Sequence, residues 1–198
     1  MIAPLALIVA AVLYRVVLGF VGSDDMHALH NFAPISAIAL CGAIYLPRRL
    51  AIILPVTILV VSDLALNQMH YHVPFWTWEI VPRYVALAAI IALGWCVRAN
   101  PTFLRVFGSA IVASLIFYLI TNTGSWLAEP AYAKTLNGWI QALTSGLPGY
   151  PSTWWFYRHT FLSDIFFSSL FFACMHGGER ATAAAMSPGR LPKFDSAK

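Results

Sequence analysis

The chain has 198 residues, of which 60% are hydrophobic and only 10% are charged, and its formal net charge is +4. Its mean hydropathy is +0.73. Soluble domains carry about 25% charged residues, so this composition excludes an ordinary soluble domain and predicts a polytopic protein of the bacterial inner membrane. The basic side chains fall mostly in short loops and in the tail, where they report membrane topology, so no nucleic-acid partner is expected.

Six apolar segments predict an all-α fold, a bundle of six transmembrane helices embedded in the lipid bilayer. They cover residues 2–21, a stretch that follows Asn31 and ends at Pro47, and then residues 50–67, 80–97, 108–127 and 158–176. The first segment lacks a small-residue cleavage site, so we interpret it as a retained helix and not as a signal peptide. Residues 1–176 thus form one membrane domain, and residues 177–198 form a disordered cytoplasmic tail.

The fifth segment, residues 108–127, is the one around which we expect the bundle to be organised. Its twenty residues contain no ionisable side chain, and at ~1.5 Å per residue they suffice to cross the ~30 Å hydrocarbon core of a bilayer. The end of the segment becomes polar at residues 121–126, TNTGSW. An amide inside a membrane is costly unless it faces a partner or a cavity, so this end predicts a lining surface.

The distribution of arginine and lysine predicts the orientation. Arg48, Arg49, Arg98 and Arg105 lie in short loops on the same side as the tail, and this side is predicted to be cytoplasmic. With six helices both termini are then cytoplasmic, while the loops rich in histidine and tryptophan face outward. The long outer segment that follows residue 127 is predicted to contain a short interfacial helix near residues 134–143.

Five of the predicted helices carry a polar or charged side chain in the outer third of the membrane. These side chains are Arg15, Asn31, Asp63, Asn122 and Asp164. A charge at the bilayer centre costs about 2.5–3.5 kcal/mol on insertion scales, so isolated charges are not expected. We therefore predict that Arg15 pairs with Asp63 or Asp164. Arg83 or Arg158 would pair with the remaining carboxylate.

Two interpretations of this polar layer remain open. In one, the layer is the floor of a cavity open to the outside, in which Trp76, Trp78 and Trp126 stack on a flat ligand. In the other, the layer is a salt-bridge clasp that only holds the helices together, and the tryptophans are ordinary interface residues. The long aromatic outer loops favour the cavity, because a clasp alone requires no such cover.

Metal and enzyme sites have little support in the sequence. The weak candidates for metal ligands are His27, His30, His70 and His72, but no ligand signature accompanies them, so no metal or other cofactor is expected. An aspartyl protease pair of Asp63 and Asp164 lacks the Tyr-Asp and Gly-x-Gly-Asp contexts, because a serine precedes both residues. No catalytic residue is therefore assigned.

Several of these stretches resemble an uncharacterised bacterial integral membrane family, domain-of-unknown-function family 6580. The resemblance spans about residues 10–176. It rests on polar motifs that recur in order: residues 31–37 (NFAPISA), Pro55 with residues 62–63, residues 117–126 and residues 163–164.

The layout of that family in turn looks like the substrate-binding (S) components of energy-coupling factor vitamin transporters. This likeness implies six helices and an outward-facing site beneath long loops, which takes up a small vitamin-like or planar solute. No ATP-binding motif is present, so it also implies a transmembrane coupling subunit with ATPases. In such components Ala-x-x-x-Ala surfaces dock the coupling subunit, and here residues 6 and 10, and Ala39 and Ala43, have this spacing.

We therefore expect a transport component and not an enzyme. The first alternative is a structural or assembly membrane protein in which the polar layer is a clasp. The second is an intramembrane enzyme that uses Asp63 and Asp164. A cavity between the helices at the level of Asp63 and Asn122 would favour the transport component, and a fully packed layer would favour the clasp.

Overall fold

The computed structural model describes residues 35–65 and 80–186 together with Val9, Leu13 and Trp78, with the backbone alone at positions 62, 65 and 178–186. This part of the chain is helical and contains no strand, which confirms the all-α class for these residues. Its helices are α1 (Ile35–Tyr45), α2 (Arg48–Ala65), α3 (Ile80–Val97), α4 (Phe103–Ala128), α5 (Leu136–Leu143) and α6 (Thr153–Met186). Most of the first predicted helix lies outside the described residues.

The short helix α1 forms the centre of the bundle. It contacts α2, α3, α4 and α6, and ten of its eleven residues are buried. Small residues in this helix, such as Ala39, Gly42 and Ala43, let the neighbouring helices approach closely, which suits a central position. The sequence predicted that residues 108–127 would organise the bundle, but α1 is the more enclosed helix. Ala39 and Ala43 are fully buried within it, so their spacing serves internal packing and not an external docking surface.

Two glycines permit close helix crossings around this centre. A Cβ atom on Gly94 of α3 would lie 2.6 Å from the Cβ of Ala43 and 2.8 Å from the carbonyl oxygen of Leu40, both in α1. A Cβ atom on Gly124 of α4 would overlap the ring of Pro82 in α3. Small residues at such crossings let helix backbones approach closely, which is typical of helix packing in membranes.

Within the described part of the chain, three helices are long and apolar enough to span a membrane: Ile80–Val97, Phe103–Ala128 and Thr153–Gly177. Their outward faces carry large apolar side chains, such as Val85 on α3, Leu115 on α4 and Leu162 on α6, which are 43–57% exposed. Soluble monomers rarely expose extended apolar surfaces, whereas lipid tails accept them. The exposed apolar faces, like the length and composition of these helices, therefore indicate a membrane protein.

One end of the bundle, called the basic end here, carries the α1–α2 and α3–α4 turns. Arg98 Nη1 donates to the carbonyl oxygens of Leu46 at 2.6 Å and Ala43 at 3.3 Å. The cation thus lies at the C-terminus of α1, where the helix dipole is negative. Nearby, Thr102 caps α4 by accepting a hydrogen bond from the Arg105 N–H. Both contacts hold the predicted basic turns against the bundle.

The opposite end, called the loop end, carries residues 129–152 between α4 and α6. Within it α5 occupies most of the stretch predicted to form a short interfacial helix, and Thr135 caps this helix. α6 begins at Thr153, earlier than the predicted residue 158, because Ser152 accepts the first N–H groups of the helix. α6 also continues to Met186, so helical backbone extends into the segment that was predicted to be a disordered tail.

Candidate functional site

A cavity of about 490 Å³ opens at the loop end between α4, α6 and the connecting segment. We call it the loop-end cavity. Its described lining residues are Phe117, Tyr118, Thr121, Asn122, Ser125, Glu129, Tyr132, Gly146, Leu147, Tyr150, Pro151, Thr153, Phe156, Tyr157 and Thr160. Sites for small molecules typically enclose about 300–1,000 Å³ and combine aromatic walls with a few polar groups. The loop-end cavity has this size and this composition.

Aromatic side chains from α4 and α6 form one wall of the loop-end cavity. The ring centroids of Tyr118 and Tyr157 lie 4.3 Å apart. Tyr157 also packs against Trp154 at 5.5 Å and Phe161 at 5.8 Å between centroids. Ring–ring contacts of this kind stabilise one another, so the rings form a packed wall. A flat solute can stack on it without first ordering the side chains.

Asn122 and Thr121 form a polar strip beside this wall. Asn122 Nδ2 donates to the carbonyl oxygen of Tyr118 at 2.8 Å, and Thr121 Oγ1 donates to that of Phe117 at 2.7 Å. These bonds fix both side chains on α4, and they leave Asn122 Oδ1 as an acceptor with no partner among the described residues. The polar end of the fifth predicted segment therefore lines a cavity, while the ligand of that cavity stays a prediction.

Residues 129–152 are tied to α4 as a cover over the cavity. Trp139 Nε1 donates to Thr123 Oγ1 at 2.9 Å, and the Tyr118 hydroxyl donates to the carbonyl oxygen of Leu143. Gly146, with φ of +71°, turns the chain back toward α6 in a conformation that other residues rarely adopt. The cover is therefore held by side chains that belong to both the helix and the loop.

A second cavity of about 210 Å³ lies next to the first and shares Phe117, Thr121 and Ser125 with it. Arg83 of α3 forms part of its wall. Arg83 Nη1 lies 3.0 Å from Asp63 Oδ1, an ion pair that joins α3 to α2. The Asp63 side chain is 3% exposed and that of Arg83 is 26% exposed. The carboxylate is thus enclosed, while the guanidinium reaches the edge of the smaller cavity.

The sequence predicted that either Arg83 or Arg158 pairs with one of the two aspartates, and this ion pair identifies Arg83 as that cation. Of the two cations proposed for the second pairing, Arg83 pairs with Asp63. Arg158 instead lies over the ring of Trp155, with Cζ 4.2 Å from the ring centroid. The pairing of Arg15 with either aspartate lies outside the described residues.

Asp164 lies deeper in the bundle and lines neither cavity. Its side chain is fully buried. The hydroxyls of Ser36 and Ser114 and the N–H of Ala37 face its carboxylate, although neither carboxylate oxygen closes a hydrogen bond with them. Ser36 and Ala37 belong to the first turn of α1, whose N–H groups lack partners within the helix. Asp164 thus lies at the positive end of the α1 dipole, and no cation of the described chain pairs with it.

Trp78 and Trp126 lie outside the cavity wall. Trp78 is 70% exposed and borders an apolar groove of about 370 Å³ between α3 and α4. Trp126 Nε1 donates to the carbonyl oxygen of Ala133 at 2.8 Å, so this side chain fastens the cover. The remaining predicted site residues lie outside the described residues: Arg15, Asn31, Trp76, His27, His30, His70 and His72.

The sequence contains a signal for the cavity wall that the prediction from polar residues missed. Tyr118, Asn122, Ser125 and Glu129 follow one another at intervals of four, three and four residues, which places them on one face of a helix. All four line the loop-end cavity. The lining residues of α6 have the same kind of spacing, at Thr153, Phe156, Tyr157 and Thr160, so the sequence also carries a signal for their shared face, although it does not show that this face meets α4.

Comparison with known proteins identifies a family for this chain. The family of unknown function DUF6580 matches residues 1–185, a range that includes α1 to α5 and nearly all of α6. This match confirms the family resemblance drawn from the polar motifs, and it shows nothing about the S components of vitamin transporters. No curated protein and no solved structure matches the chain.

Proposed function

The chain belongs to this family of unknown function, and we propose that it is a multi-pass inner-membrane protein that binds a small, flat solute in the loop-end cavity for uptake. One observation carries the proposal: the cavity joins a packed aromatic wall to the Oδ1 acceptor of Asn122, beneath a cover that is hydrogen-bonded to α4. A helix bundle that serves only as an anchor gains nothing from such a cavity, whereas a flat solute gains both stacking and a hydrogen bond.

The proposed topology has six spans with both termini in the cytoplasm. It is supported by the separation of charge between the two ends of the bundle. The α1–α2 and α3–α4 turns at the basic end contain Arg48, Arg49, Arg98 and Arg105, and basic residues in short loops favour the cytoplasmic side. The loop end would then face outward, and the cavity would open to the side from which a solute arrives.

Uptake against a gradient requires energy that this chain has no motif to supply. We therefore propose a transmembrane coupling subunit with ATPases as its partner, by analogy with the S components. Ala39 and Ala43 are fully buried inside the bundle and are not available for that partner. The exposed apolar faces of α3, α4 and α6 remain available to it or to lipid.

A structural role is the second candidate, and two observations favour it. The Asp63–Arg83 ion pair joins α2 to α3, and Asp164 of α6 lies against the first turn of α1. Both arrangements hold helices together and require no ligand. An assembly protein whose polar layer is a clasp would use these contacts and would leave the loop-end cavity without a function.

Native mass spectrometry of the purified full chain tests the proposed binding function. We expect a small molecule to co-purify with the wild type and to be lost in Asn122→Leu, which removes the cavity acceptor. Leu119→Val is the matched control, since Leu119 is on the same helix but faces the apolar groove. A wild type that carries no small molecule, or an Asn122→Leu variant that retains it, would contradict binding at this site.

The topology is tested with reporters placed at the two ends. A reporter fused after Lys198 is expected in the cytoplasm, and one inserted at Ser145, in the exposed turn after α5, is expected outside. If both reporters lie on the same side of the membrane, the six-span arrangement is wrong and the cavity does not open to the outside.

A further inference from the structure

The charges around the loop-end cavity narrow the class of solute, an inference that rests on the proposed binding function. Glu129 is the charged side chain among the described lining residues. Its Oε1 accepts a hydrogen bond from the Ala131 N–H at 3.1 Å. This bond fixes the carboxylate at the mouth of the cavity, and its second oxygen can accept a hydrogen bond from a ligand.

Tyr132 lies beside this carboxylate. Burial raises the pKa of Tyr132, and the negative charge of Glu129 raises it further. The phenol therefore stays neutral at physiological pH and can donate a hydrogen bond. The mouth of the cavity thus carries the negative charge of Glu129, with a neutral phenol next to it.

Two nearby cations are directed at other partners. Arg83 Nη1 lies 3.0 Å from Asp63 Oδ1 and lines the smaller cavity only. Lys134 Nζ donates to the carbonyl oxygens of Trp126 and, at 2.7 Å, Glu129. It therefore caps the C-terminal end of α4 from outside the cavity. Neither cation is among the described lining residues, so neither is placed to bind an anion in the loop-end cavity.

The wall itself favours positive charge. Ring faces carry negative electrostatic potential and attract cations that lie within about 6 Å of the ring centroid. Tyr118 and Tyr157 present such rings as a packed pair, and Phe156 and Tyr150 add two more to the lining. A cation in this cavity would gain attraction from the rings and from Glu129, whereas an anion would meet repulsion from both.

We infer that the loop-end cavity selects a positively charged solute, an organic ammonium compound on a flat aromatic frame, over neutral and anionic solutes of the same shape. The aromatic frame stacks on the Tyr118–Tyr157 wall. The ammonium group lies toward Glu129, and its N–H donates a hydrogen bond to Oδ1 of Asn122.

Three probes that share an indole ring and differ in the charge of the side chain test this inference: tryptamine, tryptophol and indole-3-propionate. Binding is measured by calorimetry on the full chain in nanodiscs, with empty nanodiscs subtracted to remove partition into lipid. We expect tryptamine to bind roughly tenfold more tightly than tryptophol, because cation–π attraction and the carboxylate act together. Indole-3-propionate is expected to bind most weakly.

Two variants of Glu129 test whether its negative charge causes this order of affinities. Glu129→Gln is expected to weaken tryptamine about two- to fivefold, since Glu129 is exposed, and to leave tryptophol unchanged. Glu129→Asp keeps the charge and is expected to retain the preference for tryptamine. If tryptophol or indole-3-propionate binds as tightly as tryptamine, and Asn122→Leu abolishes that binding, the charge selectivity is wrong and the binding function stands. If none of the three probes binds, both the charge selectivity and the proposed flat-solute site are contradicted.

Discussion

The centre of the bundle and its loop end both contain a buried aspartate, but they hold it by different means. At the loop end Asp63 forms an ion pair with Arg83, which reaches the smaller cavity. At the centre Asp164 is fully enclosed by hydroxyls and by the first turn of α1. The difference shows that enclosure alone does not determine how a carboxylate is stabilised. What matters is whether a neighbouring helix supplies a cation or only dipoles.

The same helix serves both regions. The first half of α4 contributes small, buried residues to the centre, such as Ala110 and Ala113, together with Ser114. Its second half contributes Thr121 and Asn122 to the loop-end cavity. Small residues let α1 pack closely against the first half, which leaves no room for a ligand. The second half faces a loop, which covers it without filling the space.

The largest expected effect is a difference in stability between two single variants, in which one or the other aspartate is replaced by asparagine. Asp63→Asn removes the carboxylate charge of the ion pair with Arg83, and we expect it to destabilise the protein by about 2–3 kcal/mol, less than the roughly 3–5 kcal/mol of fully buried pairs, because Arg83 is partly exposed. Among the described residues no cation pairs with Asp164, so we expect Asp164→Asn to change stability by no more than about 1 kcal/mol. Thermal unfolding in detergent compares the two. Equal losses of stability would remove the distinction between the two carboxylates.

The double variant Asp63→Leu with Arg83→Met tests whether Asp63 and Arg83 stabilise the protein as a pair. Each single change removes one charge of the ion pair and keeps the opposite charge in place, whereas the double change removes both charges. The double variant is therefore expected to recover at least half of the stability lost in Arg83→Met alone. Additive losses in the unfolding measurement would show that the ion pair does not couple the two residues.

A smaller effect is expected where the two regions meet, at the crossing of α3 and α4. Gly124→Ala places a methyl group against the ring of Pro82, and such overpacking typically costs about 1–3 kcal/mol. Gly108→Ala is the matched control on the same helix, because no described residue outside the helix's own backbone has an atom within 4 Å of the position that its methyl group would take. It is expected to leave stability unchanged or to raise it by up to ~1 kcal/mol. A stable Gly124→Ala protein would show that the crossing can open.

The smallest effect concerns the cover of the cavity. Trp139→Phe removes the donor to Thr123 Oγ1, and the loss of one hydrogen bond is worth about 1 kcal/mol. Hydrogen exchange of residues 129–152 should become faster while exchange in α1 stays slow. Trp78→Phe is the control, since Trp78 lies largely exposed beside the apolar groove. Unchanged exchange in Trp139→Phe would show that other contacts hold the cover.

Sequence alone determined the helical class, the positions of most helices and the polar character of the end of α4. These follow from composition, from the length of the apolar runs and from residues such as Pro47 and Asn122, whose effect is local. The tertiary structure decided which cation pairs with Asp63, that Asp164 lies against the start of α1, and that tyrosines form the cavity wall. Each of these depends on which helix faces which at a given depth. That arrangement is set by close crossings at Gly94 and Gly124 between segments far apart in the chain, which no local pattern records.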